Sequence, residues 1–167
     1  DDQVIIFDPA GEYSPVVVPN GGTDIRLGPD SPAHLNPFDV ADVAERSACA
    51  QRAFKIDAFL ALSGATMAEG SQGLPEADKS IISRCVEDAY DACAVRGAVP
   101  TLQDLYDTLL AQPEAEARDI ALRYERYVRG ATSFFNHQSN VGFEGRITNV
   151  DFRDLSQNMR VFGMLTA

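Results

Sequence analysis

Two carboxylates that follow a short apolar run are the residues best placed to do chemistry. The run Val4–Phe7 is apolar throughout and largely β-branched, and it leads into Asp8, with Glu12 four residues further on. A short run that is apolar on both faces predicts a buried parallel strand. Because ligands of open α/β sheets bind outside the carboxyl ends of the strands, Asp8 and Glu12 could hold a metal ion or order a water there.

The strand and its acid have the shape of a Walker B strand, but a simpler interpretation stays open. Asp starts turns well, and Asp8-Pro9-Ala10-Gly11 is a turn sequence in its own right. A Walker B strand of a hydrolase would favour Glu directly after the Asp, where this chain has Pro9. Glu12 is close enough in sequence to approach the same place.

Other common catalytic and binding patterns are absent from the sequence. The two lysines, Lys55 and Lys79, do not follow a glycine-rich loop, so the chain has no phosphate-binding P-loop. The two histidines, His34 and His137, lie far apart and lack metal-ligand companions. We therefore predict no metal site and no cofactor bound to these 167 residues.

A stripe of arginines in the second half of the chain has two interpretations. These residues lie on one predicted helix and could contact DNA or a phosphate of a neighbour: Arg118, Arg123, Arg126 and Arg129. Glutamates at helical spacing favour the alternative of a solvated face with ion pairs: Glu114, Glu116 and Glu125. We favour the solvated face.

The elements that must position these residues change in kind along the chain. Asp24–Leu27 alternates and predicts a second strand, and the proline-rich residues 28–39 predict a loop. Residues 41–63 predict a helix that is apolar around much of its girth, hence central, and that ends at Gly64. Three further helices are predicted to begin near Pro75, Thr101 and Pro113, with Thr101 and Asp104 as a capping box.

After these helices the strand pattern returns at residues 146–152, and a further helix is predicted from Asn158. This order predicts an α/β fold, in which a partial parallel sheet carries a large, mostly α-helical insertion. We expect residues 1–40 to form strands of the sheet and a loop, residues 41–140 the helical insertion, and residues 141–167 the return to the sheet.

Composition excludes several classes of function. The 167 residues are 45% hydrophobic, carry a net charge of −11, and contain no apolar run of the roughly 20 residues that span a bilayer. The acidic excess argues against a general nucleic-acid binder or a protein of anionic membrane surfaces. Three cysteines at apolar helix positions predict free, buried thiols in a reducing compartment: Cys49, Cys85 and Cys93.

Three segments together resemble the VirB-type conjugation ATPases, the P-loop motors of type IV secretion within the HerA–FtsK group. The first is Asp8-Pro9-Ala10-Gly11-Glu12-Tyr13-Ser14-Pro15, which is similar to the acidic segment after the second strand of that family. The second is Gly21-Gly22 followed by Ile25-Arg26-Leu27 and Leu35-Asn36-Pro37-Phe38-Asp39. The third is Phe135-Asn136-His137 with Asn140-Val141 and the later Val150-Asp151-Phe152-Arg153-Asp154-Leu155.

The resemblance implies an internal fragment of a secretion ATPase, and the start at Asp1-Asp2-Gln3 without Met agrees with a piece of a longer protein. The parent would use ATP and Mg²⁺ in a homo-oligomeric, hexameric ring, at the cytoplasmic face of the inner membrane, with other secretion components as partners. Asp8 and Glu12 would be accessory catalytic residues near the nucleotide edge, and Asn36 and Asn136 would shape loops. Without the phosphate-binding loop and the Walker B Asp-Glu pair, the fragment is expected to be inactive.

Two alternatives stay open at the level of the sequence. The helical block is expected to serve as a protein-interaction module if its acidic surface docks another secretion component or a neighbouring subunit. The chain would instead belong to a related DNA-translocating coupling protein if its parent bound duplex DNA in a salt-dependent way. The net charge of −11 counts against direct DNA contact by most of this surface.

Overall fold

The computed structural model describes residues 2–40, 47–67 and 73–167. The fold is mixed α/β, with a three-stranded parallel sheet and a helical insertion, as the sequence predicts. The chain divides into two compact units. We call Asp1–Leu35 with Ser139–Ala167 the sheet unit and Asn36–Gln138 the helical unit.

Three short strands form the sheet: β1 (Val4–Asp8), β2 (Thr23–Arg26) and β3 (Ile147–Asp151). Their order is β1-β3-β2, and both outer strands run parallel to β3. In register, Asp151 lies opposite Asp8 on one side and Arg26 on the other. The carboxyl ends of all three strands therefore meet at one edge of the sheet.

Two helices complete the sheet unit, the short α1 (Ser14–Val17) and the terminal α6 (Gln157–Thr166). Pro15 lies in the first turn of α1, a position where its missing N–H costs nothing. A glycine in α6 lets the helix approach the ring of Phe152, because a Cβ at Gly163 would lie 3.0 Å from that ring. The unit's core includes these fully or nearly fully buried side chains: Val17, Ile25, Leu27, Val150, Phe152, Leu155, Met159 and Phe162.

Strand β1 is parallel, as predicted, but the prediction that it is buried was wrong for these residues. Val4, Ile5 and Phe7 are 48%, 39% and 44% exposed. The cause is the position of β1 at the edge of the sheet, where no described strand pairs with its outer side. Apolar side chains on both faces of β1 are therefore partly exposed to solvent, although a strand of this composition is usually covered on both faces.

Among its described residues, the helical unit contains four α-helices: α2 (Ala48–Met67), α3 (Glu76–Ala94), α4 (Leu102–Leu110) and α5 (Ala115–Val128). A 3₁₀ turn follows at Gly130–Phe135. Apolar residues that recur at the helical period form the buried faces of α3 and α5: Ile82, Cys85, Val86, Ala89, Cys93, Ala117, Ile120, Ala121, Tyr124 and Val128. Leu110, the last residue of α4, is 43% exposed.

Helix α2 is not the central helix that its composition predicts. Ala53 and Phe54 are exposed, and among its residues the structure buries Gln51, Phe59, Leu62 and Ser63. The predicted stop at Gly64 was also wrong, because the helix continues to Met67. Residues 41–46 of the predicted helix lie outside the described residues, as do residues 68–72.

The cysteines are free thiols, but only two of the three are in the core. Cys85 and Cys93 are buried on α3, whereas Cys49 is exposed near the start of α2, which corrects the prediction for that residue. Burial raises the pKa of the Cys85 thiol to about 11, so this side chain stays protonated and unreactive near neutral pH.

The capping box predicted at the start of α4 is confirmed. The Thr101 backbone N–H and its hydroxyl each donate to Asp104 Oδ2 at 2.8 Å, and Arg96 Nη2 donates to Asp104 Oδ1 at 2.8 Å. Burial acts to raise the pKa of Asp104, but Arg96 and the two Thr101 donors outweigh it and hold this pKa below its usual range.

We expect Asp104→Asn to lower the free energy of unfolding by about 1 kcal/mol at neutral pH, the usual cost of losing a helix cap. Because the folded pKa is depressed, this stabilisation is complete above the unfolded value of about 3.9 and is lost as pH falls through the folded pKa. Urea unfolding of wild type and variant between pH 7 and pH 2.5 measures the difference. Asp107→Asn, an exposed position on the same helix, is the control, and a gap that stays constant down to pH 2.5 contradicts the assignment.

The lengths and hydropathies of the helices also bear on membrane insertion. Within residues 2–40, 47–67 and 73–167, none of the helices combines the length and the apolar character that crossing a bilayer requires.

Candidate functional site

The Asp8 carboxylate lies at the carboxyl end of β1 and is 1% exposed. Its Oδ1 accepts the backbone N–H of Ala10 at 3.2 Å and of Gly11 at 2.7 Å. Its Oδ2 accepts the N–H of Tyr13 at 2.9 Å. Asp8 thus organises the turn from the strand into α1, which is the simpler of the two interpretations of its sequence.

Hydrogen bonding decides the protonation of Asp8. Burial acts to raise its pKa, but the backbone N–H groups of the turn favour the charged form and together lower the pKa below its ordinary value. The carboxylate is therefore ionised and fully engaged near neutral pH. Glu12, in contrast, is exposed on the same turn, so its carboxylate is available to a ligand or partner at this edge.

Asn149, at the centre of the middle strand, connects the two outer strands. It is 0% exposed, and its Nδ2 donates to Asp24 Oδ1 on β2 at 2.7 Å and lies 3.5 Å from Asp8 Oδ2 on β1. The other Asp24 oxygen accepts the Ser14 hydroxyl at 2.7 Å, at the start of α1. A buried amide thus joins all three strands and α1 into one polar network.

Arg153 is a residue of this edge that the sequence analysis did not single out as a site residue. Its Nε donates to the fully buried Asp151 Oδ2 at 2.6 Å, and its backbone N–H donates to Asp151 Oδ1 at 2.9 Å. The guanidinium lies against Gly11, where a Cβ would come within 2.0 Å of Nε. Arg153 therefore joins the end of β3 to the turn that follows β1.

We expect Gly11→Ala to destabilise the sheet unit by about 1–3 kcal/mol, since Gly11 has a φ of +72° and the added methyl displaces Arg153 from Asp151. Arg153→Ala in the same chain relieves the collision, so Gly11→Ala is expected to cost only about 1 kcal/mol in that background. Denaturant unfolding of the four chains measures both effects.

A second glycine supplies the control for this experiment. Gly64 lies inside α2, where an added methyl would meet no atom within 4 Å, so Gly64→Ala is expected to stabilise by about 0.5–1 kcal/mol. Equal costs of Gly11→Ala with and without Arg153 would show that the guanidinium does not press on this turn.

These contacts define what the edge can do chemically. Asp8 and Asp151 are both buried and occupied by donors, and Arg26 forms an ion pair with Asp154 at 2.5 Å. In the part of the chain that the structure describes, no three His, Cys, Asp or Glu side chains are grouped as a metal site requires. The carboxyl edge of the sheet is thus a hydrogen-bonded scaffold that presents Glu12 and the outer nitrogens of Arg153.

The two asparagines expected to shape loops lie in the helical unit. Asn36 Nδ2 donates to the Pro100 carbonyl at 2.8 Å, and its Oδ1 accepts the Phe38 N–H at 3.1 Å. Asn136 Oδ1 accepts the Gln103 N–H in the first turn of α4 at 2.7 Å. Each side chain replaces missing backbone partners, as loop-shaping residues do.

All four arginines of the predicted stripe are exposed, and two of them have acidic partners within the helical unit. Arg123 pairs with Asp78 of α3 at 3.2 Å, and Arg129 lies 3.9 Å from Glu125 and 5.5 Å from the centre of the Tyr106 ring. Glu114, expected to pair along α5, instead accepts from Arg84 of α3 at 2.7 Å. The solvated face with ion pairs is therefore the better interpretation of this stripe.

Comparison with known proteins relates this fold to a solved structure. A scan against protein-family models finds no match, and a search of curated proteins finds none. Among solved structures, VirB4 of Thermoanaerobacter pseudethanolicus is similar over 98% of this chain and 67% of its own chain, with a TM-score of 0.79 and 20% sequence identity. The resemblance to VirB-type proteins is thereby confirmed at the level of the fold.

Proposed function

We propose that the chain supplies three sheet strands and the helical insertion of a VirB-type secretion ATPase, whose phosphate-binding loop lies outside these 167 residues. Two observations support this. The fold of VirB4 extends over nearly the whole chain. The segments that resemble the family include the turn after β1, part of β2, and the end of β3 with the turn after it, which belong to the sheet unit.

The open edge of β1 is the observation that carries the proposal. The hydrogen bond from Val4 N–H to the Arg146 carbonyl directs the backbone groups of Val4 and Ile6 toward β3, so those of Ile5 and Phe7 point away from the sheet. Val4, Ile5 and Phe7 also expose apolar surface on both faces. Such a strand is typical of the interior of a parallel sheet, so we infer that a further strand pairs with β1 in the working protein.

A groove beside β1 supports the same inference. It has a volume of about 460 Å³ and includes the apolar side chains Val4, Ile6, Val16, Val17 and Ile147. Apolar surface of this kind is stabilised when a further element of the fold covers it. We infer that the segment that pairs with β1 also brings a layer over this face.

The residues present do not fit Mg²⁺-ATP without further elements. The edge carboxylates Asp8 and Asp151 are occupied by donors, and both lysines lie in the helical unit. Asp8 acts by fixing the turn. We propose that Glu12, presented by that turn, orders a water or meets a basic residue supplied from outside these residues, near the nucleotide.

The setting that we propose follows from this assignment. The complete ATPase would work as a ring of identical subunits at the inner face of the cell membrane, with other components of the secretion channel as partners. It would couple ATP hydrolysis to substrate transfer or channel assembly. Direct DNA binding by this chain is not part of the proposal, because the net charge is −11.

We expect the purified 167-residue chain to show neither ATP turnover nor saturable ATP binding in the presence of Mg²⁺, since it contains no Gly-Lys-Ser or Gly-Lys-Thr. A longer product of the same gene that includes such a loop is expected to hydrolyse ATP. In that longer chain, Glu12→Gln is expected to lower kcat and Glu116→Gln, on α5, to leave it unchanged. The proposal would be contradicted if the 167-residue chain hydrolysed ATP and Glu12→Gln abolished that hydrolysis.

A further inference from the structure

The outer edge of β2 carries backbone groups that no described strand uses. The hydrogen bond from Leu27 N–H to the Asp151 carbonyl, 3.0 Å, sets the alternation along the strand. The backbone groups of Ile25 and Leu27 thus face β3, and those of Asp24 and Arg26 face outward. Ser31 Oγ donates to the Arg26 carbonyl at 2.5 Å. The N–H groups of Asp24 and Arg26 and the Asp24 carbonyl are therefore directed to the outer side.

A groove of about 470 Å³ runs along this edge. All four residues of β2 line it, and its walls are formed by residues 31–33 on one side and by Val141, Gly142, Glu144 and Gly145 on the other. Asn140 ties the two walls, because its Oδ1 accepts the His34 N–H and its Nδ2 donates to the Pro32 carbonyl, both at 2.7 Å. The edge is thus a bounded channel beside unpaired strand groups, which is the geometry that strand addition uses.

The charged residues of the groove determine which kind of extended peptide segment it can bind. Arg26 is already paired with Asp154 at 2.5 Å. The side-chain hydrogen-bond partners of Asp24, Ser14 and Asn149, are neutral, and Glu144 adds a second carboxylate to the wall. The groove is therefore acidic, and it complements a segment with basic side chains.

We propose that the edge of β2 binds an extended, basic segment of a partner protein as an additional strand. The outward N–H groups of Asp24 and Arg26 and the Asp24 carbonyl pair with the main chain of the segment, and its basic side chains lie near Asp24 and Glu144. This site differs from the β1 edge, whose apolar faces fit an apolar strand. The inference goes beyond the proposed ATPase assignment and does not depend on it.

The test uses the whole 167-residue chain and a synthetic peptide of alternating Lys and Val, seven residues long, with blocked ends. Amide NMR spectra recorded during titration are expected to show saturable shifts at Asp24 and Arg26. A peptide N-methylated at the main-chain positions that face β2 is expected to bind about tenfold more weakly, because a strand partner loses its donors. A peptide with Glu in place of Lys is expected to bind more weakly still.

Charge variants complete the test without disturbing the fold. Glu144→Gln is expected to weaken binding of the basic peptide about threefold at low salt, and Glu116→Gln, in the helical unit, is expected to leave it unchanged. Shifts at Ile5 and Phe7 instead of Asp24 and Arg26 would overturn the proposal. The proposal would also be overturned if the N-methylated or the acidic peptide bound as tightly as the basic peptide, or if no binding were saturable. Either result would indicate that the charged residues of β2 instead protect an exposed edge strand from unwanted pairing.

Discussion

Tyr124→Ala is expected to lower the free energy of unfolding of the helical unit by about 3–5 kcal/mol, the usual cost of truncating a large core aromatic side chain. Tyr124 is 0% exposed, and its ring stacks on Phe59 with 5.9 Å between the ring centres. Phe59 in turn stacks on Phe38 at 4.4 Å. Removing the Tyr124 ring opens a cavity at one end of this row, and the loss of both hydrophobic transfer and ring contacts lowers stability.

The Tyr124 hydroxyl allows the polar part of the effect to be separated. It lies 2.5 Å from Ser63 Oγ, which donates to the Phe59 carbonyl at 2.7 Å, so the tyrosine donates to the serine. Burial raises the pKa of Tyr124, which keeps this donor protonated. Tyr124→Phe is expected to cost about 1 kcal/mol. Leu122→Ala, at a position on α5 that is 54% exposed, is the control and is expected to change stability by less than about 0.5 kcal/mol.

Urea unfolding followed by circular dichroism measures these three variants, since the helices of this unit dominate the signal. A cost of Tyr124→Ala no larger than that of Leu122→Ala would show that the aromatic row does not form the core of the helical unit.

Asp8→Ala is expected to cost about 3 kcal/mol in the sheet unit, because it leaves the N–H groups of Ala10, Gly11 and Tyr13 without their shared acceptor. Hydrogen exchange at the Gly11 and Tyr13 amides measures the local effect. Both amides are expected to lose their protection, while amides in α3 and α5 keep theirs.

The same carboxylate predicts a dependence on acid. Because the folded pKa of Asp8 is depressed, its stabilisation is complete above the unfolded value of about 3.9 and is lost as pH falls through the folded pKa. Glu12→Ala, four residues away and exposed, is the control and is expected to leave both amides protected. Retained protection of Gly11 and Tyr13 in Asp8→Ala would contradict the role of Asp8 in the turn.

Features set by local sequence were predictable. The pattern from Ile82 to Cys93 recurs at the helical period, and the structure buries that face. Thr101 and Asp104 are three residues apart, the spacing at which a cap and the third helical residue meet, and their hydrogen bonds form as predicted. In both cases the interacting groups are neighbours in sequence, so the pattern contains the information.

Features set by distant contacts were not predictable. Gly11 and Arg153 meet although they are 142 positions apart in the sequence, and neither residue has a local pattern that indicates the contact. Apolar residues lie around much of the circumference of α2, which indicates that they favour burial. This pattern does not show which elements cover them, so a helix with exposed positions on several sides was predicted to be central. The same residues around Asp8 are compatible with a ligand-binding carboxylate and with a turn-forming one. The backbone N–H groups that donate to its carboxylate in the structure distinguish the two interpretations.

Reading the gene on both sides of these 167 residues tests the central claim most directly, because the claim is that β1 and β3 belong to a larger ATPase sheet. We predict a glycine-rich loop ending in Gly-Lys-Ser or Gly-Lys-Thr upstream of Asp1, and an apolar strand ending in Asp-Glu downstream of Ala167. A start codon directly before Asp1 together with a stop codon directly after Ala167 would contradict the claim.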